Sequence, residues 1–339
     1  MVMQDAIRSL VDRQELPPDQ ATRAMEAIMG GQATPAQVGA YLAGLRLVGE
    51  SPEVVAASAA VMEAHAEPVP AENVIDICGT GGDGIDTFNV STAAGFVVAG
   101  AGVRVAKHGN RAASSRCGSA DILEALGARI DLGGEEVARV IDACGFCFVF
   151  AQRFHPAMRH VGGPRREMGI RTIFNLLGPL TNPAKPRGQL AGVGAPHLAP
   201  IMADAFRLRG MDRAMVVHSS DGLDEISPAA PTKLWLVADG EVSEQEISPA
   251  DFGLPVHPLA AVAGGTPEEN AGALKGVVDG AEGAQTDFVL MNAAAALFVA
   301  GLAPTLREGT GIARDAVASG RAREVLDRYV AATAEPDGA

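Results

Sequence analysis

Asp76-Ile77-Cys78-Gly79-Thr80-Gly81-Gly82-Asp83-Gly84 is the stretch that decides how this chain is read. An apolar run (Val74, Ile75, Ile77) leads into it, and a segment of helical character from Ser91 to Gly100 follows. Strand, glycine turn and helix start together make a holder for a phosphate. Glycines let the backbone come close, and the free N–H groups of a helix N-terminus attract anions. The stretch fits neither the Walker pattern nor Gly-x-Gly-x-x-Gly, so its weight depends on its surroundings.

Upstream, residues 1–66 read as helices only. Segments open at Pro17-Pro18-Asp19, Pro35 and Ser51-Pro52-Glu53, where a proline in the first helical turn loses no hydrogen bond. Val38, Tyr41, Leu42 and Leu45 share one helix face. Glu67-Pro68-Val69-Pro70 is a stiff linker and a candidate boundary. Downstream, short β-rich runs (73–77, 103–106, 146–150, 190–193, 214–218, 233–238) alternate with helices (91–100, 119–127, 135–144, 197–209, 267–278, 285–300, 306–319, 321–332). That rhythm predicts parallel βαβ units. Asp239-Gly240 predicts a hairpin and hence an antiparallel edge. The expected fold is α/β: a small all-helical N-terminal domain and a large α/β domain with a mostly parallel central sheet. Residues 163–186, broken by Gly and Pro, are expected to pack back on the N-terminal helices. The expected division is therefore 1–69 with about 163–186, against 70–162 with 187–339.

The chain has 339 residues, 47% of them hydrophobic but only 4% aromatic, so its core must be built from aliphatic side chains. A net charge of −14 argues against nucleic acid or an anionic membrane as partner. Against that background two segments are basic: Arg104, Lys107, His108, Arg111 and Arg116, then Arg153, Arg159, Arg165, Arg166 and Arg171. Local cations on an acidic protein point to a small anionic ligand. Four scattered cysteines (Cys78, Cys117, Cys144, Cys147) do not form a disulfide framework, and Cys144 and Cys147 read as buried structural thiols. No apolar run reaches the roughly 18 residues of a membrane span. The expected location is a reducing cytoplasm.

Three further stretches carry chemistry. Thr87-Phe88-Asn89-Val90-Ser91-Thr92 places more hydroxyls and amides at a helix start than capping needs. Lys107-His108-Gly109-Asn110-Arg111, followed by Ser114-Ser115-Arg116-Cys117-Gly118-Ser119, lies at the carboxyl end of a predicted strand, where α/β proteins bind ligands. Ser219-Ser220-Asp221-Gly222-Leu223-Asp224-Glu225 also follows a strand, and its carboxylates suit Mg²⁺ shared with substrate phosphates.

With Gly118-Ser-Ala-Asp121 and Arg171-Thr-Ile-Phe-Asn-Leu-Leu-Gly-Pro-Leu180, these motifs resemble, in order, those of anthranilate phosphoribosyltransferases. The resemblance runs from about Asp76 to Glu225. It implies a homodimer that joins phosphoribosyl pyrophosphate (PRPP) to anthranilate in tryptophan synthesis, with two Mg²⁺ ions per active site. By motif, Gly79, Gly82, Asp83, Thr87, Asn89, Val90, Ser91 and Thr92 would hold PRPP. Lys107, His108, Gly109, Asn110, Arg111, Ala112, Ala113, Ser114 and Ser115, with Ser119, would close over it. Ser91, Asp224 and Glu225 would bind the metal. Gly79, Asn110 and Arg165 would hold anthranilate, with His108 and His155 lining its path. No general base is assigned, because the aniline nitrogen loses its proton readily once bonded. A pyrimidine nucleoside phosphorylase is the enzymatic alternative, but its loop has Lys-His-Ser and it lacks the acidic pair, so Asn110, Asp224 and Glu225 speak against it. A non-catalytic nucleic-acid-binding relative would need a basic surface and a decayed glycine turn.

Overall fold

The computed structural model describes residues 2–112 and 116–334. Four helices open the chain: α1 (Val2–Val11), α2 (Pro18–Met29), α3 (Pro35–Val48) and α4 (Pro52–Ala64). The last three carry proline in the first turn. Thr34 caps α3 in a reciprocal box: its hydroxyl accepts from Gln37 N–H (3.3 Å) while the Gln37 side chain accepts from Thr34 N–H (3.0 Å). The linker that follows is pinned, with Glu67 N–H donating to Phe154 C=O (2.9 Å) and Val69 N–H to Pro183 C=O (3.3 Å).

Then strand and helix alternate: β1 (Val74–Gly79), α5 (Val90–Gly100), β2 (Arg104–Gly109), α6 (Ser119–Ala125), α7 (Gly134–Cys144) and β3 (Phe146–Phe150). Three short helices, α8 (Ala151–Phe154), α9 (Arg159–Met168) and α10 (Phe174–Leu180), interrupt the rhythm. It resumes with β4 (Gly188–Gly192), α11 (Ala199–Leu208), β5 (Arg213–Ser219), β6 (Thr232–Ala238) and β7 (Glu241–Ile247). The chain closes with α12 (Pro267–Val278), α13 (Ala284–Val299), α14 (Leu306–Ala318) and α15 (Arg321–Ala334).

The strands form one sheet in the order β3-β2-β1-β4-β5-β6-β7. The pairs from β3 to β5 are parallel, and β6 and β7 are antiparallel. The expected hairpin is present, with Asp239 at φ 53° and Gly240 at φ 77°, the twist a two-residue turn requires. Strand β4 starts two residues before the expected 190, because Gly188 pairs with both Ile75 and Arg213. The outer strand β7 is exposed and acidic (Glu241, Glu244, Glu246), which discourages edge pairing with another chain.

Two cores flank the sheet, and strand periodicity assigns residues to each. On β5, Met215 and Val217 enter a core with α5, α7 and α12–α15. Ala214 and Val216 enter the other, which holds α1–α4, α11 and Val161, Ile173, Phe174, Leu176, Leu177 and Leu180 from the 159–180 segment. Cys144 and Cys147 are buried free thiols. Among the described residues no helix is long and apolar enough to cross a membrane.

Chain order fixes where a ligand can sit. From β1 the chain winds outward to β2 and β3, and then returns to β4 on the other side of β1. The gap beyond the carboxyl ends of β1 and β4 is thus the topological switch point of the sheet. The glycine turn and the Asp221–Glu225 turn both open there.

Candidate active site

Beyond Gly79 the chain leaves β1 and is held to the end of β4. Thr80 N–H donates to Gly192 C=O (2.9 Å), and the Thr80 hydroxyl accepts from Gly194 N–H (3.1 Å). Gly81 N–H donates to Asp224 Oδ2 (2.7 Å), and Arg171 Nη2 donates to Gly81 C=O (2.6 Å). Gly79 allows this convergence: a Cβ there would lie 2.4 Å from Asp224 Oδ2. Asp83 turns inward, its Oδ1 accepting from Ile85 N–H (3.1 Å) and its Oδ2 facing Asp224 N–H (3.5 Å).

The start of α5 is buried, and its hydroxyls reach across the cleft. Ser91 Oγ accepts from Lys107 Nζ (3.2 Å), and Thr92 Oγ1 donates to Ser119 Oγ (3.1 Å). Lys107, only 1% exposed, also donates to Ile77 C=O (2.5 Å). The Asn89 side chain caps nothing; it is engaged by Asn270 (3.0 Å) and by Cys117 C=O (3.0 Å). Thr87 forms a β-bridge to Ala263.

The acidic turn resolves into two roles. Asp221, outside the expected metal set of Ser91, Asp224 and Glu225, ties the turn together: its Oδ2 accepts from Ser227 Oγ (2.6 Å) and its Oδ1 from Leu223 N–H (3.4 Å). Asp224 is buried and Glu225 half-buried. Burial, and then the Asp83 charge, holds Asp224 above the usual carboxylate range. Burial and the Asp224 charge do the same to Glu225, whose carboxyl also meets Ser91. Hard oxygen donors that repel one another fit Mg²⁺, which keeps positions for water and substrate phosphates. Among the described residues no three carboxylate, imidazole or thiol side chains close into a cage of their own.

Beneath the cleft lies a polar hub that sequence reading gave no role. Asp76 is wholly buried in β1. It accepts from His108 N–H (3.0 Å), Asn182 Nδ2 (3.0 Å) and Gln189 Nε2 (3.4 Å). Burial pushes its carboxyl up to about 6 against the pull of Lys107. The signal was an acid inside the apolar run Val74–Ile77. His108 Nδ1 lies 3.0 Å from Gly178 C=O. A carbonyl only accepts, so that nitrogen carries the proton, and Nε2 keeps a bare lone pair with no partner among the described residues. Its ring faces His155 at 5.2 Å between centroids; among the described residues neither His155 nitrogen has a well-formed hydrogen bond, although the Thr181 backbone lies close enough to favour its protonated form. Burial lowers the two imidazoles to about 3 and about 4, so both are neutral at physiological pH.

Arg165 lies over the Phe174 ring (5.4 Å), with no acidic partner among the described residues, and burial lowers its pKa. Asn110 Oδ1 accepts from Gln152 Nε2 (2.9 Å) and from Arg111 N–H (2.8 Å). Arg111 turns away from the cleft to α6, onto Glu124 (2.5 Å) and Asp121 (3.1 Å). Gly82 lies in the glycine turn, Val90 opens α5, Gly109 ends β2 and Ala112 follows it, whereas Ala113, Ser114 and Ser115 lie outside the described residues.

Comparison with known proteins identifies the family to which this fold belongs. Residues 71–323 match the family model described as glycosyl transferase family, a/b domain, and residues 4–66 match its helical bundle domain. The fold and cleft are thus those of a two-part glycosyl transferase. The chain is 52% identical to the anthranilate phosphoribosyltransferase of Thermomicrobium roseum, over 95% of this chain and 94% of the relative. The crystal structure of the Thermus thermophilus enzyme superposes with a TM-score of 0.92 at 42% identity, covering 98% of this chain and 100% of that one. The Saccharomyces cerevisiae enzyme in complex with PRPP and Mg superposes at 0.90 with 30% identity, covering 98% and 97%. The chain belongs to the anthranilate phosphoribosyltransferase family.

Proposed function

We propose that this protein transfers the 5-phosphoribosyl group of PRPP to the amine of anthranilate, releasing pyrophosphate, as a Mg²⁺-dependent homodimer with two ions per site. The observation that carries the reading is the meeting of three unlike groups at the switch point: a glycine turn, a buried lysine and an acid pair. The turn and the α5 N-terminus offer N–H groups to phosphate oxygens. Lys107 lies between Ile77 and Ser91 as a fixed positive charge. Asp224 and Glu225, with Ser91, would hold Mg²⁺, which would neutralise the departing pyrophosphate.

Anthranilate brings a carboxylate and a weakly nucleophilic amine. Arg165, half-buried and without an acidic partner among the described residues, would take the carboxylate bidentately. The bare Nε2 of His108 and the His155 ring would orient the amine. Such buried unpaired atoms carry a cost in the free protein that a ligand would relieve. At a pKa of about 3, His108 is too weak a base to remove a proton before attack. Catalysis then rests on positioning, which supplies roughly 7–11 kcal/mol in well-oriented systems, and on charge stabilisation of the leaving group.

The 1–69 and 163–186 segments are assigned to dimerisation. Val11 and Leu47, 73% and 81% exposed, lie on helices of that unit. Steady-state kinetics of Arg165→Ala test the anthranilate assignment. KM for anthranilate should rise about 10- to 100-fold, in line with a lost charged hydrogen-bond pair of about 1.5–3 kcal/mol. KM for PRPP should stay within about twofold. Unchanged anthranilate KM removes Arg165 from the site.

A further inference from the structure

Asn270 stands outside every motif that marks the cleft, in the first turn of α12, and is 3% exposed. A buried amide is costly unless its polar ends are paired, and this one is paired in a directional chain. Its Oδ1 accepts from Gly265 N–H (2.7 Å). Its Nδ2 donates to Asn89 Oδ1 (3.0 Å), and Asn89 Nδ2 donates to Cys117 C=O (3.0 Å). Backbone groups fix both ends of the chain. Gly265 N–H can only donate and Cys117 C=O can only accept, so neither amide can flip without two like groups meeting.

The chain joins three places: α12, the N-terminus of α5 and the far end of the Lys107–Ser119 loop. Around it the backbone is stitched as well. Phe88 N–H donates to Val262 C=O (3.0 Å) and Gly264 N–H to Asp86 C=O (2.8 Å). The two walls of the cleft are therefore hung together on residues 262–270. Asn89 is the relay. As the N-cap residue of α5 it makes no cap, because both ends of its amide serve this link.

We propose that Asn270 is a positioning residue for PRPP, setting the orientation of Asn89 and through it the separation of the two phosphate-binding walls. This rests on the reading of the cleft as a PRPP site. Asn270 touches no reacting atom, so its removal should show in PRPP affinity and spare both chemistry and anthranilate.

The test is calorimetric titration of Mg·PRPP together with steady-state kinetics on Asn270→Ala, Asn89→Ala and the double variant. Asn270→Ala should raise the PRPP Kd and KM about tenfold, equal to about 1.4 kcal/mol. Its kcat and anthranilate KM should stay within about twofold. In the Asn89→Ala background the same change should add almost nothing, since the relay is already cut. Wild-type PRPP affinity in Asn270→Ala overturns the proposal. So does a parallel change in kcat and both KM values, or independent effects in the double variant. If Asn270→Ala does not fold, Asn270→Ser replaces it, keeping an acceptor for Gly265 N–H but too short for Asn89. A wild-type protein that binds Mg·PRPP but does not consume anthranilate refutes the parent reading alone, and the Kd comparison still decides on Asn270. A wild-type protein that does not bind Mg·PRPP refutes both.

Discussion

His155 shows how a single residue links stability to function. It is buried, neither ring nitrogen has a well-formed hydrogen bond among the described residues, and burial, outweighing the Thr181 backbone and the Glu63 charge, holds its pKa at about 4 against an ordinary value of 6.5. The folded value is depressed, so the unfolded chain takes a proton first as pH falls. Stability is complete above pH 6.5 and is lost progressively down to about pH 4. At pH 5 the loss from this residue alone is about 2 kcal/mol. Asp76, held up at about 6, works in the opposite direction, so the comparison must be made within one pair of proteins. Urea unfolding at pH 7 and pH 5 makes it: His155→Phe should lose about 2 kcal/mol less than wild type between those values. Equal losses would mean that the imidazole is not buried neutral. The same variant should raise the anthranilate KM if the ring lines the anthranilate path as proposed.

At the scale of elements, the Lys107–Ser119 loop is governed by the helix that follows it. Asp121, the third residue of α6, accepts from Gly118 N–H (2.8 Å) and Ala112 N–H (3.1 Å), and it also holds Arg111 (3.1 Å). Asp121→Ala should therefore cost about 1–2 kcal/mol of stability and raise the PRPP KM, as denaturant titration and kinetics will show. A variant with lower stability but wild-type PRPP KM would separate the loop from the site. This scale also separates what the sequence disclosed from what it did not. Glycine turn, basic loop and acid pair were legible because each is one contiguous stretch whose residue types answer to a phosphate or a cation. The hairpin was legible for the same local reason. Arg111 is placed among the PRPP-holding residues by its motif; its ion pairs with Asp121 and Glu124 of α6 were not legible, because only the turn of the backbone brings them to it. The Asp76 hub and the Asn270 relay depend on partners 106 and 181 residues away, which no local pattern records. Residue type alone gave Asp221 and Asp224 the same character; the bond from Ser227 Oγ to Asp221 is a contact that spacing did not record.

For the whole molecule, the sheet order brings the glycine turn and the acid pair to one switch point, with the start of the Lys107–Ser119 loop on the neighbouring strand, and the N-terminal helices pack against one face of the sheet. The exposed apolar residues of that unit carry the dimer proposal. Leu47→Glu should shift light-scattering mass from dimer towards monomer without unfolding the chain, whereas a wild-type protein that is already monomeric would remove the proposal. The central claim is that one cleft couples PRPP, Mg²⁺ and anthranilate. Anthranilate fluorescence tests it most directly, followed with protein, PRPP and Mg²⁺ present and with each omitted in turn. Fluorescence should be lost only in the complete mixture. Loss that persists without PRPP or Mg²⁺, or no loss in the complete mixture while thymidine is phosphorolysed, would contradict it.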